Sequence, residues 1–453
     1  MEVHATLAAL LGTRVWDSWA NNESGEPPPA PRLRCSSFLP WQRPRGVAKV
    51  RTARAVWSFD HRMHSRWSQS YLLSRKHTSF ILLCATNCNT PKYWFGYLAG
   101  MYSFMSFAEG KASWMLNYSW DGNKEVDPRE AMKNLAMAEL MAGANVWDTR
   151  GHVMSGSNDI QTRTMIFNWI AKHEKTFSSP PRRPVRPVGV YFSPKTRDYF
   201  PEQFIESYRG MICLLLQSHL EFQIVTPRNR QAFRGDELIL PDVRCLSGSE
   251  LDWLQSLVRD RKDLVVTGET GRYDDERRPR AENPLHELLG ITNLSRQQTS
   301  ATPTRFMYAP QCPGKAYYAE LEGHFNDYAL QEHYEGARFQ KMRQQVSSEI
   351  VRLSNSRPEV EIDASPFLST QIAEVNGKIH VFIANFKGLK SNEMAQQVPE
   401  RNIRITFAGR ENAKLYVLPF LGEVQELDGE RSAGRITFRI PEVSKGMVAW
   451  CGD

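Results

Sequence analysis

WMLNYSWDGNKEVDPREAMKNLAMAELMAGANVWD, residues 114–148, reads as strand, helix, strand. Its first seven residues, Trp114 to Trp120, are aromatic and apolar enough for a strand buried in a parallel sheet. Helix punctuation follows. Asp127 suits the cap, Pro128 the first helical position, and Glu130 the place from which a capping-box carboxylate reaches back. Met132, Leu135, Ala136 and Glu139 share one helical face, and Gly143 supplies the stop. A second strand, Ala144 to Trp147, comes next. After the polar loop DTRGHVMSGSND, Asn158 or Asp159 starts a further helix whose Ile166, Trp169, Ile170 and His173 lie on one face. Strand, helix, strand, helix is the order of the last quarter of a (β/α)8 barrel. Such barrels place their chemistry at strand C-termini, where Asp121 and Asp148 fall.

Downstream, SSPPRRPVRP (178–187) is a proline-rich linker that no helix crosses, which sets a domain boundary. Beyond it strands and helices alternate. Val188 to Phe192, Glu221 to Thr226, Glu237 to Val243 and Asp263 to Gly268 read as strands; Phe204 to His219 and Ser249 to Asp260 read as helices. That alternation implies a doubly wound parallel sheet. Residues 318–357 are charged and helical. Then Phe367–Glu374, Lys378–Asn385, Ile403–Phe407, Lys414–Leu418, Arg435–Ile440 and Met447–Trp450 alternate as strands, with Asn376-Gly377 as a hairpin turn. The expected fold class is therefore α/β multidomain: a partial (β/α)8-barrel end over 93–178, a doubly wound amidotransferase-like domain over 187–317, a helical connector over 318–357 and a small C-terminal antiparallel β-sandwich over 358–453.

The formal charge of +7 is local. Residues 1–90 hold 12 Lys+Arg and 5 Asp+Glu, and the remaining 45 bases and 45 acids cancel. Residues 1–92 thus form a basic segment rich in tryptophan and proline, with little periodicity and doubtful order. Nucleic acid is not an expected partner, because a disordered extension accounts for that composition better than a polyanion site does. Seven scattered cysteines fit free thiols rather than a disulfide framework. No apolar run reaches spanning length and the start lacks the features of a signal peptide, so a cytoplasmic protein without a membrane partner is expected.

The chemistry points to the strand ends. Asp121 and Asp148 can supply the two carboxylates that glycoside hydrolysis needs, and Tyr118, Trp120 and Trp147 offer rings for sugar faces. Bland readings stand beside these: a turn at Asp121-Gly122-Asn123, an ion pair between Asp148 and Arg150, and core packing for the rings. Glu109 precedes its strand and lies at the wrong end. Cys245 (DVRCLSG) lacks the preceding glycine and sharp turn of a nucleophilic cysteine and reads as loop packing. VVTGETGRYDD (265–275) matches no phosphate-binding motif and reads as a turn. Neither a metal nor a cofactor is called for.

ELILPDVRCLSGSELDWLQSLVRDRKDLVVTGETGRYDDE (237–276) is similar to the trimerisation domain of the glycoside hydrolase family 42 β-galactosidases, and the order of parts resembles that family from about Tyr93 to Asp453. The resemblance implies hydrolysis of terminal β-galactosides by a two-carboxylate mechanism and a homo-oligomer, such as a trimer. It places Asp121 at the nucleophile position and Asp148 as a supporting carboxylate, with Tyr118, Trp120, Trp147 and His152 lining the sugar site. Two departures stand out. The family's nucleophile is a glutamate, and this chain has no room before residue 93 for the strands that carry the family's acid/base. A non-catalytic carbohydrate-binding or oligomerising remnant is the alternative.

Overall fold

This computed structural model describes residues 69–70, 80–85, 94–107, 112–117, 127–148, 160–177, 181–291, 296, 298–300, 306–309, 311–322, 337–353, 358–389, 395–409 and 413–452. The protein is mixed α/β.

The first unit runs β1 (Gln69–Ser70), β2 (Phe80–Ala85), α1 (Trp94–Ser106), β3 (Ala112–Asn117), α2 (Pro128–Ala142), β4 (Asn145–Asp148) and α3 (Ile160–Phe177). β2, β3 and β4 lie side by side and parallel, and β1 pairs antiparallel with β2. Two successive strand-helix-strand crossovers therefore stand where the sequence shows one. The additional strand, FILLCA, is a short apolar run inside the basic segment. Helix α2 forms where its punctuation puts it. Asp127 accepts the Arg129 N–H at 2.9 Å, and Gly143 closes the helix in the left-handed region with φ 93°. Met132, Leu135, Ala136 and Glu139 are all buried, and the Glu139 carboxylate accepts from the Tyr97 hydroxyl at 2.8 Å. Glu130 differs from expectation. Its two oxygens go to Lys133 and Lys445, each at 2.7 Å, because a lysine from the far end of the chain stands closer than the cap backbone. Helix α3 buries Ile166, Trp169 and His173, and Ile170, read on the same face, is half-buried.

The second unit contains β6 (Val188–Tyr191), α4 (Pro194–Tyr199), α5 (Pro201–Gln217), β7 (Phe222–Val225), β8 (Glu237–Pro241), α6 (Gly248–Arg259), β9 (Asp263–Thr267), α7 (Pro284–Leu289), β10 (Gln298–Ser300), β11 (Phe306–Ala309), α8 (Pro313–Glu322) and α9 (Ala337–Leu353). Its sheet has the order β10-β11-β9-β8-β6-β7, parallel except for the edge strand β10. The chain steps outward from β6 to β7 and then back across to β8, the strand-order reversal of a doubly wound sheet. All five residues of β8 are buried, as helices on both faces require. Helices α5 and α8 touch through glycines: a Cβ on Gly210 would stand 1.7 Å from the Gly314 carbonyl oxygen.

The third unit is a two-sheet sandwich. One sheet runs β12 (Val360–Asp363), β15 (Glu400–Ala408), β19 (Arg435–Val443), β18 (Gly429–Ser432); the other runs β17 (Gln425–Leu427), β16 (Leu415–Pro419), β20 (Gly446–Cys451), β14 (Lys378–Asn385), β13 (Leu368–Val375), β5 (Arg183–Pro184). Leu368, Val381, Ile403, Phe407, Leu415, Phe438 and Ala449 are among the residues filling the space between them. Asn376 and Gly377 take positive φ, 51° and 78°, the two-residue turn that matches strand twist. The opposite face of the larger sheet packs on the first unit: Phe382, Ala384 and Val448 belong to the same apolar core as Met132, Leu135 and Met137.

Among the described residues no helix is long and apolar enough to cross a membrane.

Candidate functional site

Parallel strands that end together form a rim. Asp148, the last residue of β4, is in register with Asn117, the last residue of β3. Trp147 is in register with Leu116, which is in register with Cys84 of β2. The segment carrying Tyr118, Trp120 and Asp121 leaves this rim directly after Asn117, and the segment carrying His152 leaves it after Asp148. Of the six expected site residues, Trp147 and Asp148 therefore lie on a described strand end; Tyr118, Trp120, Asp121 and His152 lie outside the described residues. Glu109, read as being at the wrong end, is also outside them.

Helix α2 is the crossover that joins β3 to β4. Its first-turn carboxylate, Glu130, is a fixed counter-charge. Burial would raise its pKa, but Lys133 and Lys445 outweigh that and hold it below the usual carboxylate range. Lys445 is lowered by burial and also binds Gln397 and Asn134, at 2.7 and 3.0 Å. Asn134 donates onward to the Ala395 carbonyl at 2.6 Å. A carboxylate so committed is unsuited to proton transfer near neutrality, which wants a pKa close to the working pH.

Doubly wound sheets carry their ligand crevice at the strand-order reversal, here between β6 and β8. That place is filled by the protein's own side chains. The Tyr191 hydroxyl, at the end of β6, donates to Glu250 Oε1, and Glu250 Oε2 accepts from the Ser247 N–H at 2.7 Å, closing the capping box of α6. Arg230, after β7, reaches the Ser249 hydroxyl at 3.3 Å. Burial, then the Glu250 charge, raises the Tyr191 phenol. The signal for this arrangement is the Ser247-Gly248-Ser249-Glu250 string, a capping-box signature just before an apolar helical run.

Cys245 is 1% exposed, and its N–H donates to Thr196 Oγ1 at 2.9 Å. Burial pushes its thiol up to about 11, so at neutral pH it holds no thiolate. This agrees with reading it as packing. The glycine turn after β9 is structural too. Asp242 Oδ1 accepts the Glu269 N–H at 2.8 Å, and Gly268, at φ 61°, leaves room for that carboxylate, which a Cβ would meet at 2.5 Å. Burial raises Asp242, with Arg244 at 3.2 Å opposing it. Among the described residues no group of three or more His, Cys, Asp or Glu side chains could hold a metal.

No family model matches the sequence, and no curated protein matches it. Solved structures do share its fold. An α-L-fucosidase, isoenzyme 2 from Paenibacillus thiaminolyticus, superposes over 76% of this chain and 61% of its own, with TM-score 0.52 and 10% identity. A β-galactosidase from Bacillus circulans sp. alkalophilus superposes over 79% of this chain and 58% of its own, with TM-score 0.52 and 9% identity. The chain thus spans about three-fifths of the length of these glycoside hydrolases and has a glycoside-hydrolase-like fold over that span. At such identity the likeness is one of fold.

Proposed function

We propose that the protein is a glycoside hydrolase of the β-galactosidase kind, cleaving terminal β-galactosides at the rim where β3 and β4 end. The observation that supports this most is the register of Asn117 with Asp148. Neighbouring strands stand about 4.8 Å apart. The chain leading to Asp121 therefore leaves one strand directly beside the strand that ends in Asp148, as two carboxylates serving one sugar ring require. In this reading Asp121 is the nucleophile and Asp148 a supporting carboxylate, with Tyr118, Trp120, Trp147 and His152 around the sugar. The first unit is then the end of a (β/α)8 barrel, and the α/β unit, with its crevice filled by Tyr191, Glu250 and Arg230, is an amidotransferase-like oligomerisation domain. The working form is a homo-oligomer, such as a trimer, in the cytoplasm.

Hydrolysis of nitrophenyl β-galactoside by the purified chain tests the activity. Wild-type turnover that falls by about 10³-fold or more in Asp121→Ala supports the assignment, since removing a nucleophile costs at least that much. Turnover unchanged in that variant ends it.

A second reading, carbohydrate binding or oligomerisation without catalysis, draws on one feature. Ile160, Met165 and Phe167, exposed by 58, 49 and 42%, crowd one helix, α3. Apolar exposure of that kind favours association. Saturable sugar binding without turnover, in a protein that sediments as an oligomer, would select this reading.

A further inference from the structure

The proline-rich linker marks a domain boundary in the sequence, yet its residues bind both the first unit and the sandwich. Arg182 Nη2 donates to the Leu140 carbonyl at 2.5 Å, and Nη1 to the Met141 carbonyl at 2.8 Å. These are last-turn carbonyls of α2, which need partners and sit at the negative end of the helix dipole. Nη1 also donates to Gln371 Oε1 of β13 at 2.8 Å, and the guanidinium carbon lies 3.5 Å from the ring centroid of Phe382 in β14. Immediately after it, Arg183 and Pro184 form β5 and pair with Glu374 and Ala373 of β13.

The α/β unit closes the same strand from its own side. Gln217, His219 and Glu221 alternate along one short stretch, and each bonds the sandwich. Gln217 Nε2 donates to the Pro366 carbonyl at 3.2 Å; His219 Nε2 lies 3.1 Å from the carbonyls of Ala364 and Ser365; Glu221 Oε2 accepts the Ile372 N–H at 2.6 Å. Tyr317 donates to Gln217 Oε1, and Arg343 to the Tyr317 hydroxyl at 3.3 Å, so α8 and α9 brace the seam. The free edge of β13 is thereby covered by parts of two other elements, which satisfies backbone groups that an edge strand would expose.

We propose that residues 182–184 are a strap that ties the first unit to the sandwich, on the strand that the α/β unit also binds, with the Arg182 guanidinium as the closing contact. A planar fork that makes three hydrogen bonds and a flat face for Phe382 are what this junction uses, and a lysine ammonium offers neither. Burial lowers Arg182 to about 9, opposed by Tyr102 and Glu221, and this leaves it charged at neutral pH; burial pushes Glu221 up to about 8, opposed by the Ile372 N–H and Arg182. Carbonyl dipoles and the aromatic face meet the charge directly.

Hydrogen exchange of the full chain, read peptide by peptide, tests the strap. In Arg182→Met, amides in the last turn of α2 and at 371–374 of β13 should exchange roughly 10- to 100-fold faster, the factor expected on losing hydrogen bonds to a charged group. Amides of β15 and β19, buried elsewhere in the sandwich, should keep wild-type rates. Arg182→Lys should resemble Arg182→Met. Gln371→Leu, which removes one contact, keeps the test alive if Arg182→Met does not fold; it should speed exchange at 371–374 by a smaller factor. Unchanged rates at both sites in the Arg182 variants, or an equal rise across β15 and β19, would overturn the proposal.

Discussion

Two largely parallel sheets stand in this chain, and their C-terminal ends can be set side by side. At the end of the α/β sheet Tyr191, Glu250, Arg230 and Asp242 are bound to one another or to nearby backbone and hydroxyls, so the crevice where such folds hold ligands is closed from within. At the end of the smaller sheet the register brings Asp148 beside Asn117, from which the segment bearing Asp121 departs. The comparison teaches that strand order alone does not mark a site. At the α/β sheet the polar groups at the reversal are already bound within the protein.

The comparison is broken most readily by activity. Asp121→Ala should cost about 10³-fold or more in kcat on nitrophenyl β-galactoside, whereas Glu250→Ala, in helix α6 beside the other sheet, should leave kcat within about twofold of wild type for the folded fraction. A loss of turnover in folded Glu250→Ala would move the site to the α/β crevice. Next in size is Asp121→Glu. The family resembled has glutamate there, and an error of about one ångström costs roughly 10²-fold in catalysis, so this variant should gain a comparable factor. A fall in rate would show that the local backbone is built for aspartate.

Stability effects are smaller and sharpen the contrast. Glu250→Ala leaves the Tyr191 hydroxyl without its acceptor and opens the α6 cap, which should cost about 1–3 kcal/mol in chemical denaturation. Glu237, 2% exposed with neither carboxylate oxygen hydrogen-bonded among the described residues, is raised well above its ordinary pKa by burial and then by Asp263. Its folded pKa exceeds the unfolded value, so its contribution is fully present below about pH 4.5 and is lost as pH rises toward the folded value. Unfolding free energy should therefore fall with rising pH across that window, and Glu237→Gln should flatten the slope; an unaltered slope would contradict this. Asp127→Ala, at the α2 cap, should cost about 1 kcal/mol.

Much of the fold was legible because local chemistry wrote it. Asp127, Pro128 and Gly143 bracket α2, and the Asn376-Gly377 turn sets β14 at Lys378–Asn385, the span read from the sequence. Other parts depend on distant partners. β5 is two residues of a proline-rich linker that become a strand only because β13 lies alongside. β17 and β18, QEL and GERS, are exposed edge strands with no apolar alternation to betray them. β2 was hidden by averaging over a basic segment, and Glu130 by a lysine 315 residues away along the chain. For the site, the sequence supplied residue types at strand ends and the structure supplied the register that makes Asn117 and Asp148 neighbours; Trp147 shares that strand end, and the other four candidates belong to the segments leaving the rim.

A retaining two-carboxylate reaction passes through a covalent glycosyl-enzyme. Incubating the protein with an activated 2-deoxy-2-fluoro-galactoside, which slows release of that intermediate, and mapping the added mass by peptide digestion tests the central claim most directly. The account predicts one labelled peptide, carrying the sugar on Asp121, and no labelling in Asp121→Ala. Label on another carboxylate, or none from a protein that turns over nitrophenyl β-galactoside, would contradict it.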